Sequence, residues 1–168
     1  MKLKRSAHLL FVDASMGGST VSWFLVGKNI EELSVDLGAD VETVKNILDE
    51  SVTNLNGFEP QISADPYYAN PDDAIYEPLK ACAMDRVMDE AHCKTKFLEV
   101  VVEDTADTSH DAWQQDCYLV PDSIGGDTSG LQIPFSIYPD GERTKGTATL
   151  SASKVPTFTA ATAVTTNP

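Results

Sequence analysis

Residues able to do chemistry are few in this chain, and their spacing decides little for them. Its three histidines, His8, His92 and His110, sit in unrelated contexts. His92 and Cys93 are adjacent, but no second pair lies near them, as a zinc site of His and Cys ligands would require. "DPYYANPDD" brings Asp65, Asp72 and Asp73 close together. It lacks the alternate-position oxygens of a calcium loop, and a turn leading into a helix accounts for it more simply. "DSIGGDTSG" is glycine-rich without the Gly-Lys-Ser/Thr ending that cradles a phosphate. Neither a Gly-x-Ser-x-Gly elbow nor a His-Glu-x-x-His helix occurs. The sequence therefore predicts no enzyme, no metal and no cofactor. Trp23 and Trp113 read as core or interface anchors, and Cys82 as a small core residue on a helix.

Charge says more. The chain has 168 residues, with 26 acids against 12 bases and a formal net charge of −14. Nucleic-acid backbones are bound by clustered Lys and Arg, so this balance argues against such binding and against anionic membranes. Residues 31–50 hold seven acids and one base, Lys45; residues 97–142 hold ten acids and no Lys or Arg. Bases collect at Lys2, Lys4 and Arg5 and again at Arg143, Lys145 and Lys154. The three cysteines, Cys82, Cys93 and Cys117, are odd in number and lack Cys-x-x-Cys spacing. Reduced thiols in a cytoplasm are the expectation. The apolar run His8–Val12 stops at Asp13, too short for a signal peptide, and no run approaches a membrane span.

One domain fits the length. Strands are expected at about 8–12, 21–26 and 31–37, the last two separated by Gly27 and Asn29, with a further irregular strand at 58–65 demoted by Pro60. Residues 96–104 and 112–122 read as strands. So does 131–151, taken as a hairpin in which "YPDGE" reverses the chain. The best helix lies in 69–90, with Asn70 as cap and Pro71 at its first position. Pro78 then demands either a kink or a later start near Glu77. Residues 39–51 carry a helical stripe, Val41, Val44, Ile47 and Leu48, behind a possible Asp40 cap. Residues 1–7 and 153–168 read as arms. The fold class expected is mainly β with one helix: an antiparallel β-sandwich or barrel flanked by an α-helix, with a long early inter-strand loop.

Three stretches together, "VGKNIEELSVDLGADVETVKNILDES", "LNGFEPQISADPYYANPDDAIYEPL" and "DSIGGDTSGLQIPFSIYPDGERTKGTATLS", resemble the major tail tube protein of long-tailed bacteriophages and the related tubes of phage-like bacteriocins. The resemblance runs from about Trp23 to Leu150. It implies a β-sandwich with one helix, six copies to a ring, and rings stacked into a hollow tube through which DNA is delivered. It also implies that residues 37–57 form a stacking loop, with Leu37, Gly38, Asp40, Val41, Glu42, Val44, Lys45, Ile47, Leu48, Asp49, Glu50 and Asn54 as its assembly residues. Under that resemblance residues 40–51 pair as strand with neighbouring copies, whereas the local pattern favours helix; both stay open. A negative lumen would repel the passing polyanion, with Glu99, Glu103, Asp116 and Asp122 as candidate lumen-facing acids. Arg143 and Lys145 would be inter-subunit charge partners. The implied partners are further copies of the chain, a tape-measure protein, tail tip or baseplate proteins and a tail terminator; the implied location is the virion tail, built in the bacterial cytoplasm. Alternatives are a single-ring component (a tail terminator or baseplate hub), a type VI secretion tube, and a small-ligand-binding β-barrel.

Overall fold

The structure is a computed structural model, and it describes residues 2–162. A short 3-10 turn at Arg5–Ala7 leads into β1 (His8–Asp13), followed by β2 (Trp23–Asp36), β3 (Ala39–Lys45), β4 (Ser51–Phe58) and β5 (Gln61–Tyr67). Two helices follow, α1 (Tyr76–Asp85) and α2 (Glu90–Cys93). The chain ends with β6 (Lys94–Val101), β7 (His110–Pro121), β8 (Gly125–Asp127), β9 (Gly130–Gln132), β10 (Phe135–Leu150) and β11 (Pro156–Ala160).

One antiparallel sheet runs in the order β11-β10-β5-β2-β1-β6-β7, and β10 pairs with β7 as well. That last pairing joins the two sides of the sheet. Strands β1, β2, β5, β10, β7 and β6 thus form a closed barrel, with β11 added outside the ring. Closure removes the exposed edges that an open sheet leaves to other chains. The expected class, mainly β with a flanking helix, is what the molecule adopts.

The barrel core is Leu10, Val12, Ile62, Tyr67, Phe97, Leu119, Phe135 and Ile137, all close to fully buried. Tyr67 meets Phe135 edge-on, with ring centroids 5.8 Å apart. A second cluster on the other side of the sheet holds Leu9, Phe11, Leu98, Val100, Ala112 and Ala148, with Trp23 and Phe158 packed against it. β1 is therefore apolar at every position from Leu9 to Val12 because both its faces are covered. Ile75 and Leu79 bring α1 into the barrel core and close one end of it. The opposite end stays open.

Several expectations about the elements change. Residues 131–151 are no hairpin. β10 is one strand of 16 residues that keeps β7 as its partner on both sides of a register shift between Asp140 and Thr144. Gly141, Glu142 and Arg143 bulge opposite Gln115 rather than reversing the chain: Gly141 takes φ +69°, and its carbonyl accepts a hydrogen bond from Gln115 Nε2 at 2.8 Å. The strand is instead interrupted at Ile133–Pro134, where Pro lacks the ladder N–H. Gly27 and Asn29 do not end a strand either; β2 runs through them, with Asn29 at φ +63°. Asn70 does not cap the helix. Its Oδ1 accepts from the Asp72 N–H in a separate turn, and α1 begins at Tyr76. Pro78 then falls in the first helical turn, where an N–H has no partner to lose. Of the C-terminal arm, residues 156–160 form β11 against β10; its last six residues lie outside the described residues.

Candidate functional site

Residues 37–58 leave the open end of the barrel as a projecting hairpin. β3 and β4 pair only with each other, in a sheet separate from the barrel, and every residue of both strands is exposed. The helical stripe of residues 40–51 loses to this pairing. A helix there would need a surface to pack on, and the sequence supplies two β-rich arms of matching length instead. Val41 pairs with Leu55 and Val44 with Val52. These pairs lie on opposite faces of the ribbon, since successive strand residues alternate, so neither face is a buried one.

The ribbon is anchored at its base and built at its tip. Gly38 takes φ +55°, and a Cβ there would collide with the carbonyl oxygen of Glu59. The Glu59 N–H donates to the Gly38 carbonyl at 3.0 Å, and the Asp36 carboxylate accepts from the Gly38 N–H at 3.0 Å. At the tip, Asn46 Oδ1 accepts from the N–H groups of Leu48 (2.9 Å) and Glu50 (3.0 Å). Its Nδ2 donates to the Glu50 carboxylate at 2.8 Å. This fixed loop holds Ile47 fully in solvent and Leu48 at 73% exposure. Burial of one such side chain is worth roughly 1.5–3 kcal/mol, so the tip presents unspent apolar surface on a rigid support. Lys45, Asp49 and Glu50 ring it with charge.

The open barrel end beside the hairpin base forms a cavity of about 740 Å³, walled by Leu33, Val35, Ile62 and Phe97. Inside it lies Glu99, 5% exposed. His8 Nε2 is 3.0 Å from one carboxylate oxygen, and Arg143 binds the other. Burial alone would raise the Glu99 pKa; the hydrogen bonds from His8 and Arg143 outweigh it and hold the carboxyl below its ordinary range. Arg143 also stands over the rings of Phe97 and Trp113, its guanidinium carbon 5.9 and 5.8 Å from their centroids.

The four acids grouped as lumen-facing are therefore not brought together. Glu99 is buried and paired within its own chain, and Arg143, expected to reach a neighbour, is that partner. Glu103 is exposed in the loop after β6, Asp116 is half-buried on β7 opposite Lys96, and Asp122 is exposed. Asp122 accepts from Ser136 Oγ at 2.8 Å. Lys145 is exposed, with its ammonium 5.6 Å from the Trp113 ring centroid. Near α2, His92 Nδ1 is 2.6 Å from Asp89 Oδ1, while burial and the neighbouring Cys93 push the Cys82 thiol up to about 11, which keeps it in the less reactive thiol form. Among the described residues no three His, Cys, Asp or Glu side chains gather as metal ligands, and no helix is long and apolar enough to cross a membrane.

No protein-family model matches the chain, and no curated protein does. Solved structures do. One is the sheath/tube terminator of PVC, an extracellular contractile injection system in its extended state: 10% identical, covering 86% of this chain and 96% of its own, with a TM-score of 0.52. Another is the anti-feeding prophage cap, the AFP tube-terminating cap: 14% identical, covering 88% of this chain and 93% of its own, also at 0.52. At these identities the likeness is one of fold, and it extends over nearly the whole of each chain: the closed barrel with its flanking helix is a fold this chain shares with proteins that terminate tubes.

Proposed function

We propose that this protein is a structural, non-enzymatic component of a phage-tail-like particle, acting as a ring of identical copies that ends or caps its tube. The observation that carries the reading is the hairpin of residues 37–58. A two-stranded ribbon alone in water is marginally stable, and its unpaired edges are templates for another chain's strands. A closed barrel that removes its own edges yet extends such a ribbon is built to join neighbours. The fold shared with a tube terminator and a tube-terminating cap supports the terminal position over the body of the tube. In this reading Leu37–Asn54 are assembly residues, and the partners are further copies of the chain and the last ring of the tube. The net charge of −14 would give the ring an opening that repels a polyanion.

A second reading is the body of the tube, with open-ended stacking of rings. It draws on the same hairpin, which could reach the next ring as well as the next subunit. Electron microscopy of the concentrated protein separates the two. Discrete single rings are the expected result; continuous hollow tubes would replace the first reading with the second. Particles of neither kind, from protein incubated with preformed tubes of its own host system, would overturn both.

A further inference from the structure

Cys82 and Cys93 are two thiols that meet. They stand eleven positions apart in the sequence, the first in the last turn of α1 and the second at the end of α2. Both are buried, at 8% and 2% exposure. The Cys82 thiol donates to the carbonyl of His92, the residue before Cys93, with Sγ 3.6 Å from the oxygen. The Cys93 thiol turns back into the connection between the helices, with Sγ 4.0 Å from the Val87 carbonyl oxygen. Burial is the largest cause of the raised Cys82 thiol, and the Cys93 thiol beside it adds both a like charge and a hydrogen bond. The two also line one cavity of about 290 Å³, between that connection and residues 120–124. Cys117 lies apart from them, on β7 in the barrel core.

We propose that Cys82 and Cys93 are a latent disulfide, an open thiol pair in a reducing cytoplasm that closes when the chain meets an oxidising medium. A bridge requires two cysteine side chains that face each other at close range, and that contact is already made across the connection between α1 and α2. The oxidant is a small-molecule disulfide that enters the cavity. The thiolate of Cys82, the more exposed of the two, attacks one of its sulfurs; the small S–S bond breaks and one small thiolate leaves. The thiolate of Cys93 then attacks the Cys82 sulfur of the mixed disulfide. The second small thiolate leaves as the Cys82–Cys93 bond forms. The two protons lost by the protein end on the two small thiols, so one disulfide is reduced for each one made. The raised Cys82 thiol makes the first attack the slow one. Ile75 and Leu79 seat α1 in the barrel core, and α2 runs directly into β6 at Lys94. The bridge therefore ties the helix that closes one end of the barrel to the start of a barrel strand, and it restricts the unfolded chain. The inference is independent of the ring-forming reading, since it concerns the helical end of the barrel and not the hairpin.

The test uses the full-length protein, incubated without air in mildly alkaline buffer with hydroxyethyl disulfide, beside a sample kept in a reducing thiol. Trypsin cuts after Lys80, Arg86 and Lys94, which puts the two cysteines on separate peptides, 81–86 and 87–94. The expected product is these two peptides joined by a disulfide, from a chain that runs as a monomer on a non-reducing gel. In denaturant the treated protein should titrate as one thiol, Cys117, where the reduced protein titrates as three. Its thermal midpoint should rise by roughly 5 °C, and Cys82→Ser or Cys93→Ser should each remove the rise. The peptide map reads the wild type alone, so it does not depend on either variant folding. Separate hydroxyethyl adducts on the two cysteines overturn the proposal. So do cysteines that stay free while the protein is folded, and so does a bridge that links two chains or takes in Cys117. A joined pair without the rise in midpoint overturns the stabilising tie.

Discussion

The barrel and the hairpin are made from similar alternating residues, yet they solve opposite problems. In the barrel, Leu10, Val12, Phe97 and Ile137 point into a closed interior, and the strand edges are used up by ring closure. In the hairpin, Val41, Val44, Val52 and Leu55 are all exposed, and its edges stay unpaired. The stability of the first comes from burial within the chain. The hairpin's comes from a short cross-strand ladder, a glycine hinge and one asparagine, and what it lacks must come from outside. A segment can therefore be well formed without being complete.

Removing residues 39–58 and joining Gly38 to Glu59 through a short Gly-Ser turn would break this comparison most severely. The two ends are already hydrogen-bonded at 3.0 Å. The barrel should fold with its cooperative unfolding intact, while assembly seen by microscopy is lost. If the truncated chain does not fold, the two regions are not independent. Phe135→Ala should act the other way. Loss of a fully buried aromatic ring is expected to cost roughly 3–5 kcal/mol in denaturant unfolding, with the hairpin's own proton signals unchanged at low denaturant.

Glu99→Gln probes the join between the regions, at the open end of the barrel. A variant that leaves Arg143 without its carboxylate should lose about 1–3 kcal/mol at neutral pH, discounted because Arg143 is itself partly exposed. The sign follows from the lowered pKa of Glu99. A carboxyl that is more acidic folded than unfolded contributes its stability above the ordinary range, and loses it as pH falls through the folded value. The stability difference between wild type and variant should therefore be full at pH 6–7 and shrink below about pH 4.5, the ordinary value for the group. A constant difference would mean that Glu99 acts through packing alone. The smallest expected effect is that of Asn46→Ala. It should leave global stability within about 1 kcal/mol and speed hydrogen exchange at Leu48 and Glu50, whose N–H groups lose their acceptor. Unchanged exchange there would show that the tip is held by something other than Asn46.

Much of this architecture was legible in the residues. The strand runs at 96–104 and 112–122 and the small helix before them carried into the fold, because each depends on local sequence pattern. What failed to show depends on partners far along the chain. "YPDGE" has the residues of a reversing turn, but whether it reverses or bulges is decided by β7, which pairs with β10 before and after it. The stripe Val41–Val44–Ile47–Leu48 satisfies a helix locally; the strand at 51–58 outbids it by pairing with 39–45. Glu99 looked like one acid among ten, and only the convergence of β1, β6 and β10 made it a buried ion pair. The sequence by itself determined an acidic, β-rich chain with one main helix. The tertiary structure alone decided which apolar residues would be buried and which left exposed, because burial is a property of where distant strands meet and not of the residues that form them.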